Sequence, residues 1–299
     1  MKLSLGPILY YWSFAQVEKF YHEIKDTSAD IIYLGETVCA KRQELRTSDW
    51  LTLAADLCES GKQVVLSTLA LIEARADITV LKKICDNSPC LIEANDMAAV
   101  QLLAQRKLPF VAGPSINIYN AYTLALLYKQ GMQRWVMPVE LQAETLREIL
   151  DDARNMGFAE NIETEVFSYG KLPLAYSARC FTARAKNLSK DNCALRCLDY
   201  PDGLLMKTQE DNTLFTLNGI QTQSGSTYNL LNEWQKMQDM GVDIMRISPQ
   251  LENTPQLISR FAETIRTGVS PLSLVEEDQC NGYWYGNPGM DTVSSPVIP

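Results

Sequence analysis

Short apolar, β-branched runs alternate along the whole chain with amphipathic stretches of helical length, and this alternation limits the fold more than any other feature. The runs are Leu3 to Ile8, Asp30 to Leu34, Gln63 to Leu69, Cys90 to Ala94, Pro109 to Ala112, Arg134 to Pro138, Ile162 to Ser168 and Val242 to Ile247. Strands this apolar suit a sheet covered on both faces. Helical stretches between them include Trp50 to Ser60, Ala98 to Lys107, Tyr119 to Gln130, Leu141 to Met156, Tyr228 to Met240 and Pro255 to Thr267. Four helical stretches meet a glycine just before the next strand, at Gly61, Gly131, Gly157 and Gly241, where a left-handed residue turns the chain. Eight βα units with short returns fit an α/β (β/α)8 TIM-like barrel better than a doubly wound sheet. The expected organisation is a single barrel domain over 1–299, with a flexible tail from 286 to 299.

One connection breaks the rhythm. After the seventh strand the next helix is expected only near Tyr228, and a structureless loop of that length calls for a function or a staple. This excursion, 171–227, carries Cys180, Cys193 and Cys197 in a C-x12-C-x3-C spacing. It leaves the C-terminal end of a strand, the face on which barrel sites are built. Cys39 follows the second strand and emerges on the same face. Four thiolates at one barrel mouth are a candidate metal site, and tetrahedral sulfur ligation suits zinc or an iron–sulfur cluster. Cys58, Cys85 and Cys90 lie in or beside apolar periodic segments and read as buried small hydrophobes.

Charge and histidine content narrow the chemistry further. A net charge of −9 argues against a broad nucleic-acid surface, and no apolar run approaches a membrane span. The opening segment lacks a signal peptide's hydrophobic block, so a cytoplasmic protein is expected. The one histidine, His22, falls in a helical-looking segment and reads as a surface or packing residue, which leaves no His-based triad or His-rich zinc site. Within the excursion Lys171, Arg179, Arg184, Lys186 and Lys190 form a basic stretch without Asp or Glu, and Lys41 and Arg42 follow Cys39. These cations suit either a solvated loop or compensation of an anionic cluster or substrate. Arg42, Arg179 and Arg184 are candidate carboxylate clamps.

SADIIYLGE resembles the GADAVYLG element of the collagenase-like peptidase family, and EVFSYGKLPLAYSARC resembles its signature region. The match narrows to the branch of that family serving oxygen-independent ubiquinone biosynthesis, through SLGP, GKQVVLSTLAL, KLPFVAG, RWVMPVEL, LPLAYSARCFTAR, LNGIQT and CNGYW, which together span nearly the whole chain. Pro173 stands where the usual family pattern has a cysteine, while that branch is similar in carrying a cysteine after the second strand, here Cys39. The resemblance implies a 4Fe-4S cluster on Cys39, Cys180, Cys193 and Cys197. It also implies a heterodimer with a homologous subunit, hydroxylation of ubiquinone precursors, and prephenate as oxygen donor. A non-catalytic cluster-bearing scaffold is the alternative. A peptidase using Glu165 is a weaker one, because no partner base accompanies that residue.

Overall fold

The computed structural model describes residues 1–269 and 279–293. In chain order, β1 (Lys2–Leu5), α1 (Phe14–Ile24), β2 (Ile31–Leu34), α2 (Thr47–Glu59), β3 (Gln63–Ser67), α3 (Arg75–Asn87), β4 (Leu91–Ala94) and α4 (Met97–Gln105) form the first half. The second half begins with β5 (Phe110–Ala112), α5 (Ala121–Lys129), β6 (Met132–Val136), α6 (Ala143–Asn155) and β7 (Glu163–Gly170). An excursion follows, containing β8 (Pro173–Tyr176), α7 (Phe181–Ala185), β9 (Leu204–Lys207), β10 (Thr213–Asn218), β11 (Gln221–Ser224) and β12 (Thr227–Asn229). The barrel resumes with α8 (Trp234–Met240), β13 (Ile244–Ile247) and α9 (Thr254–Thr267), and β14 (Gln279–Cys280) comes last.

Strands β1 to β7 pair in parallel order, and β13 pairs in parallel with both β1 and β7, so eight strands close a barrel. Side chains alternate across it. Ile31, Tyr33, Val65, Val111, Val136 and Ile244 pack inside, whereas Ile32, Leu34, Leu66 and Ile92 join the larger core beneath the helices. Helix α6 shows how that outer core is built. Its buried residues Ala143, Leu146, Ile149, Leu150 and Ala153 repeat at three- and four-residue steps and form one apolar stripe. Ser13, Asp96 and Asn120 cap α1, α4 and α5 with side-chain oxygens that accept helix N–H groups. The four punctuating glycines all have positive φ, and Gly241, at +94°, ends α8 as a left-handed cap.

The excursion folds into a four-stranded antiparallel sheet, in the order β8, β11, β10, β9. Among the bonds that dock it onto the barrel, Trp12 Nε1 donates to the Pro201 carbonyl at 2.7 Å, Asn218 Nδ2 to the Leu9 carbonyl at 2.7 Å, and Arg42 Nη2 to Asn218 Oδ1 at 2.6 Å.

Two expectations need correction. The helix expected from Tyr228 begins only at Trp234, because Tyr228 lies in β12 and pairs with Gly170 beyond the barrel end of β7. Asn229 Oδ1 then accepts from Leu231 N at 2.9 Å and turns the chain toward α8. Cys58 and Cys90 are not buried hydrophobes: Cys58 is exposed, Cys90 half-buried, and their sulfurs stand 3.9 Å apart. Cys85 is buried as expected, and His22 is exposed on α1. Of the expected tail, 287–293 are hydrogen-bonded back onto Gln279, Asn281 and Gly282, and 294–299 lie outside the described residues.

Candidate metal centre

Each candidate ligand is held by a local device. Beyond β2 the chain turns at Gly35, and Glu36 Oε1 accepts from Val38 N at 2.8 Å and Cys39 N at 3.0 Å, which fixes Cys39 at the mouth. Cys180 caps α7, with its sulfur accepting from Ala183 N at 3.4 Å. Gly219 N donates to Thr182 Oγ1 at 2.9 Å, and Phe181 N to the Gly219 carbonyl at 2.9 Å, so the β10–β11 turn carries α7. Between Cys193 and Cys197, Ala194 and Leu195 are both left-handed, at φ +48° and +52°. Two such non-glycine residues in succession cost on the order of 1–3 kcal/mol each and persist where surroundings require them.

Cys39, Cys180, Cys193 and Cys197 line one pocket of about 370 Å³, counting the part open to solvent, with Lys41, Arg42, Lys190 and Arg196 at its wall. The structure therefore brings together all four sequence candidates. Leu9, Val38 and Ile220 pack as an apolar floor against Cys39 and Cys180. Burial pushes the Cys39 and Cys197 thiols up, and the nearby Arg42 charge pulls against it in both. A thiol raised by burial stays protonated until a metal displaces its proton.

Arg42 is 4% exposed and serves this pocket from inside the wall. Its Nη2 donates to Asn218 Oδ1 at 2.6 Å, Glu36 Oε1 lies 3.7 Å from Nη1, and its Nε has no hydrogen-bond partner. The donor set fits an anionic cluster: four thiols, a buried guanidinium with a spare donor, and two lysines. Lys41 Nζ reaches the Lys190 carbonyl at 2.8 Å, and Lys190 pairs with Glu73, so both are tethered across the mouth. Arg179 and Arg184 are exposed and do not line the pocket, and Lys186 sits 5.3 Å from the Tyr200 ring centre. The basic stretch thus divides into wall and solvated residues.

Among the described residues, no three His, Cys, Asp or Glu side chains are gathered for a single metal ion. Four sulfur ligands suit zinc and an iron–sulfur cluster alike.

A second polar group occupies the barrel interior, and of its members only Glu165 was singled out from sequence. Glu165 is fully buried and accepts from Ser4 Oγ and Tyr33 Oη at 2.5 Å and from Arg246 Nε at 2.6 Å. Arg246 Nη1 donates to Glu93 Oε1 at 2.8 Å, and Arg134 Nη1 to Tyr33 Oη at 3.0 Å. Its signal in sequence is one charged residue inside each of several apolar runs, namely Glu93, Arg134, Glu165 and Arg246. Glu36 was equally legible, as the acid two residues past β2.

Among solved structures, the fold is similar to the U32 peptidase Mk0906, at 10% identity over 84% of this chain and 93% of that one, with a TM-score of 0.46. It is also similar to dihydropteroate synthase from Thermus thermophilus, at 12% identity, 88% and 93% coverage and a TM-score of 0.41. The spore cortex-lytic enzyme SleL of Bacillus cereus matches at 13% identity, 88% and 75% coverage and a TM-score of 0.39. The sequence profile of Peptidase family U32 matches residues 14–268, most of the chain, and the protein belongs to that family.

Proposed function

We propose that this U32-family protein is the iron–sulfur subunit of a heterodimeric, oxygen-independent hydroxylase acting on ubiquinone precursors in the cytoplasm, with prephenate as oxygen donor. Its motif set resembles UbiV, and the partner is then a UbiU-like homologous subunit. The observation that supports the reading is the meeting of Cys39 with Cys180, Cys193 and Cys197 in one cation-walled pocket at the barrel mouth. Those four thiolates would hold a 4Fe-4S cluster, which supplies one-electron transfer when bound. Lys41, Arg42 and Lys190 wall the site, each also facing a carboxylate (Asp191, Glu36 and Glu73), and the apolar floor keeps water from its inner face. No helix among the described residues is long and apolar enough to cross a membrane.

Peptide hydrolysis, suggested by the family's name, finds little support in Glu165. Its two oxygens accept from Ser4, Tyr33 and Arg246 and the side chain is fully buried, which is the setting of a structural acceptor and not of a base open to a substrate.

Purification without oxygen tests the proposal. The protein should be brown, with about four irons and four sulfides per chain. Colourless protein holding one zinc would reject it. Reconstitution with the homologous subunit, a ubiquinone precursor and labelled prephenate should then place labelled oxygen on the ring, and turnover by the partner alone would reduce this chain to a scaffold.

A further inference from the structure

Helices α2 and α3 bury too little. Both have 13 residues, yet α2 buries only Ala54 and Leu57 and α3 only Leu81 and Cys85, against five buried residues on α6 of the same length. Between the first turn of α2 and the length of α3 opens a cleft of about 1200 Å³, counting the part open to solvent. It starts at the C-terminal ends of β2 and β3 and runs outward between the helices. Pockets at this face of a barrel, mostly apolar with a few polar groups at one end, are the usual form of a small-molecule site.

The cleft has two chemically different ends. Trp50, Ile72, Val80 and Ile84 form its walls, and Val80, at 44% exposed, stands at the solvent side. At the inner end lie Ser67, Thr68, Glu36 and Arg42. Arg42 also lines the cysteine pocket, so one side chain separates the two cavities, and its buried Nε has no partner within the protein. Glu36 and Arg42 offset each other's charge, so the inner end suits an uncharged hydrogen-bonding head better than a strong anion. Gln43, Arg46, Thr47 and Asp77 also line the cleft, so beyond the inner end the apolar surface is the strip of Trp50, Ile72, Val80 and Ile84, and that strip, open at its outer end, suits a linear aliphatic chain.

We propose that this cleft is the binding site for a phenolic ring bearing an isoprenoid tail, with the ring inward beside Arg42 and the tail leaving past Val80. The proposal deepens the functional reading above and rests on it for the choice of a ring-and-tail ligand, since it assigns substrate binding to this subunit and to a face next to the four cysteines. Ala76 and Val80, both exposed on α3 and both lining the cleft, can be changed without disturbing the core.

The test uses the whole anaerobically purified protein and a phenol carrying three isoprene units, with the unprenylated phenol beside it, followed by tryptophan fluorescence and calorimetry. We expect saturable binding of the prenylated phenol, at least tenfold weaker binding of the bare phenol, and at least tenfold weakening of the former by Ala76→Trp or Val80→Glu. Iron content should not change in either variant. Cys193→Ala should lose iron and still bind the prenylated phenol, which separates failure of the cluster reading from failure of the cleft. Absence of saturable binding, or equal binding by wild type and both variants, overturns the proposal. So does a result in which the variants spare ligand binding and instead abolish association with the homologous subunit, because the cleft would then be a protein interface.

Discussion

Arg246 and Glu165 meet inside the closed barrel, Nε to Oε1 at 2.6 Å, with side chains 4% and 0% exposed. Their bond ties β13 to β7, the strand pair that completes the ring, and Arg246 extends it to Glu93 on β4. Removing one partner of a buried ion pair leaves an uncompensated charge, at about 3–5 kcal/mol. Glu165→Gln should therefore lower the free energy of unfolding by about that much, read from urea denaturation, while iron content stays at the wild-type level. A variant of unchanged stability that had lost peptide turnover would instead mark Glu165 as catalytic.

The same carboxylate sets a pH dependence. Burial pushes Glu165 up, but Arg246 and then Arg134 pull it further down, and it titrates below the usual carboxylate range. Its stabilisation is complete above the unfolded-state value of about 4.3 and is lost as pH falls through the lower folded value. Glu36 behaves oppositely. Burial raises it against the pull of Arg42, so its contribution is complete below about 4.3 and declines as pH rises through the folded value. Urea midpoints measured across the acid range should show the gap between wild type and Glu165→Gln closing as pH falls. Glu36→Gln should gain on wild type as pH rises from about 4. Parallel curves for all three proteins would contradict both assignments.

The barrel was legible because its signals are local and repeated. An apolar run buried on both faces, an amphipathic stretch and a turning glycine recur around the ring, and Gly61, Gly131, Gly157 and Gly241 each have the positive φ that the pattern requires. The excursion was legible only as an interruption. Its strands are half-polar, as in TLFTLN and QTQS, and they pair antiparallel through long-range contacts that no periodicity announces. Tyr228 looked helical because it opens an amphipathic stretch, yet pairing with Gly170 decides its conformation. The meeting of Cys39, Cys180, Cys193 and Cys197 could be read because the ends of β2 and β7 were placed on one face. The Arg42 contacts could not, since they depend on Leu9 beyond β1 and on Asn218, which the excursion brings in from far along the chain.

The remaining cysteines should be dispensable for iron. Cys58 and Cys90 face each other between α2 and the start of β4, and burial together with Cys58 pushes the Cys90 thiol up to about 12. Cys280 lies on β14 beside Tyr228, where burial pushes it up to about 11. None of them lines the cysteine pocket. Serine at 58, 90 or 280 should leave iron content unchanged. Serine at the buried Cys85 should do the same, while costing about 1–3 kcal/mol for the hydroxyl it buries. Iron loss in Cys280→Ser would bring β14 into the ligand set and reopen the choice of four.

Cys39 carries the sharpest expectation, because it reaches the site from β2 while the other three come from the excursion after β7. Only the closed barrel, with Glu36 holding the turn and Arg42 linking it to Asn218, sets Cys39 in the same pocket as Cys193. Cys39→Ala and Cys193→Ala should therefore lose iron to the same extent, since each leaves three thiolates and one iron without a ligand. Both variants should keep their far-ultraviolet circular dichroism, because neither side chain belongs to the barrel ladder or to the outer core. The measurement is iron and sulfide per chain for the two variants prepared side by side without oxygen. Full iron in Cys39→Ala together with iron loss in Cys193→Ala would confine the cluster to the excursion and remove β2 from it.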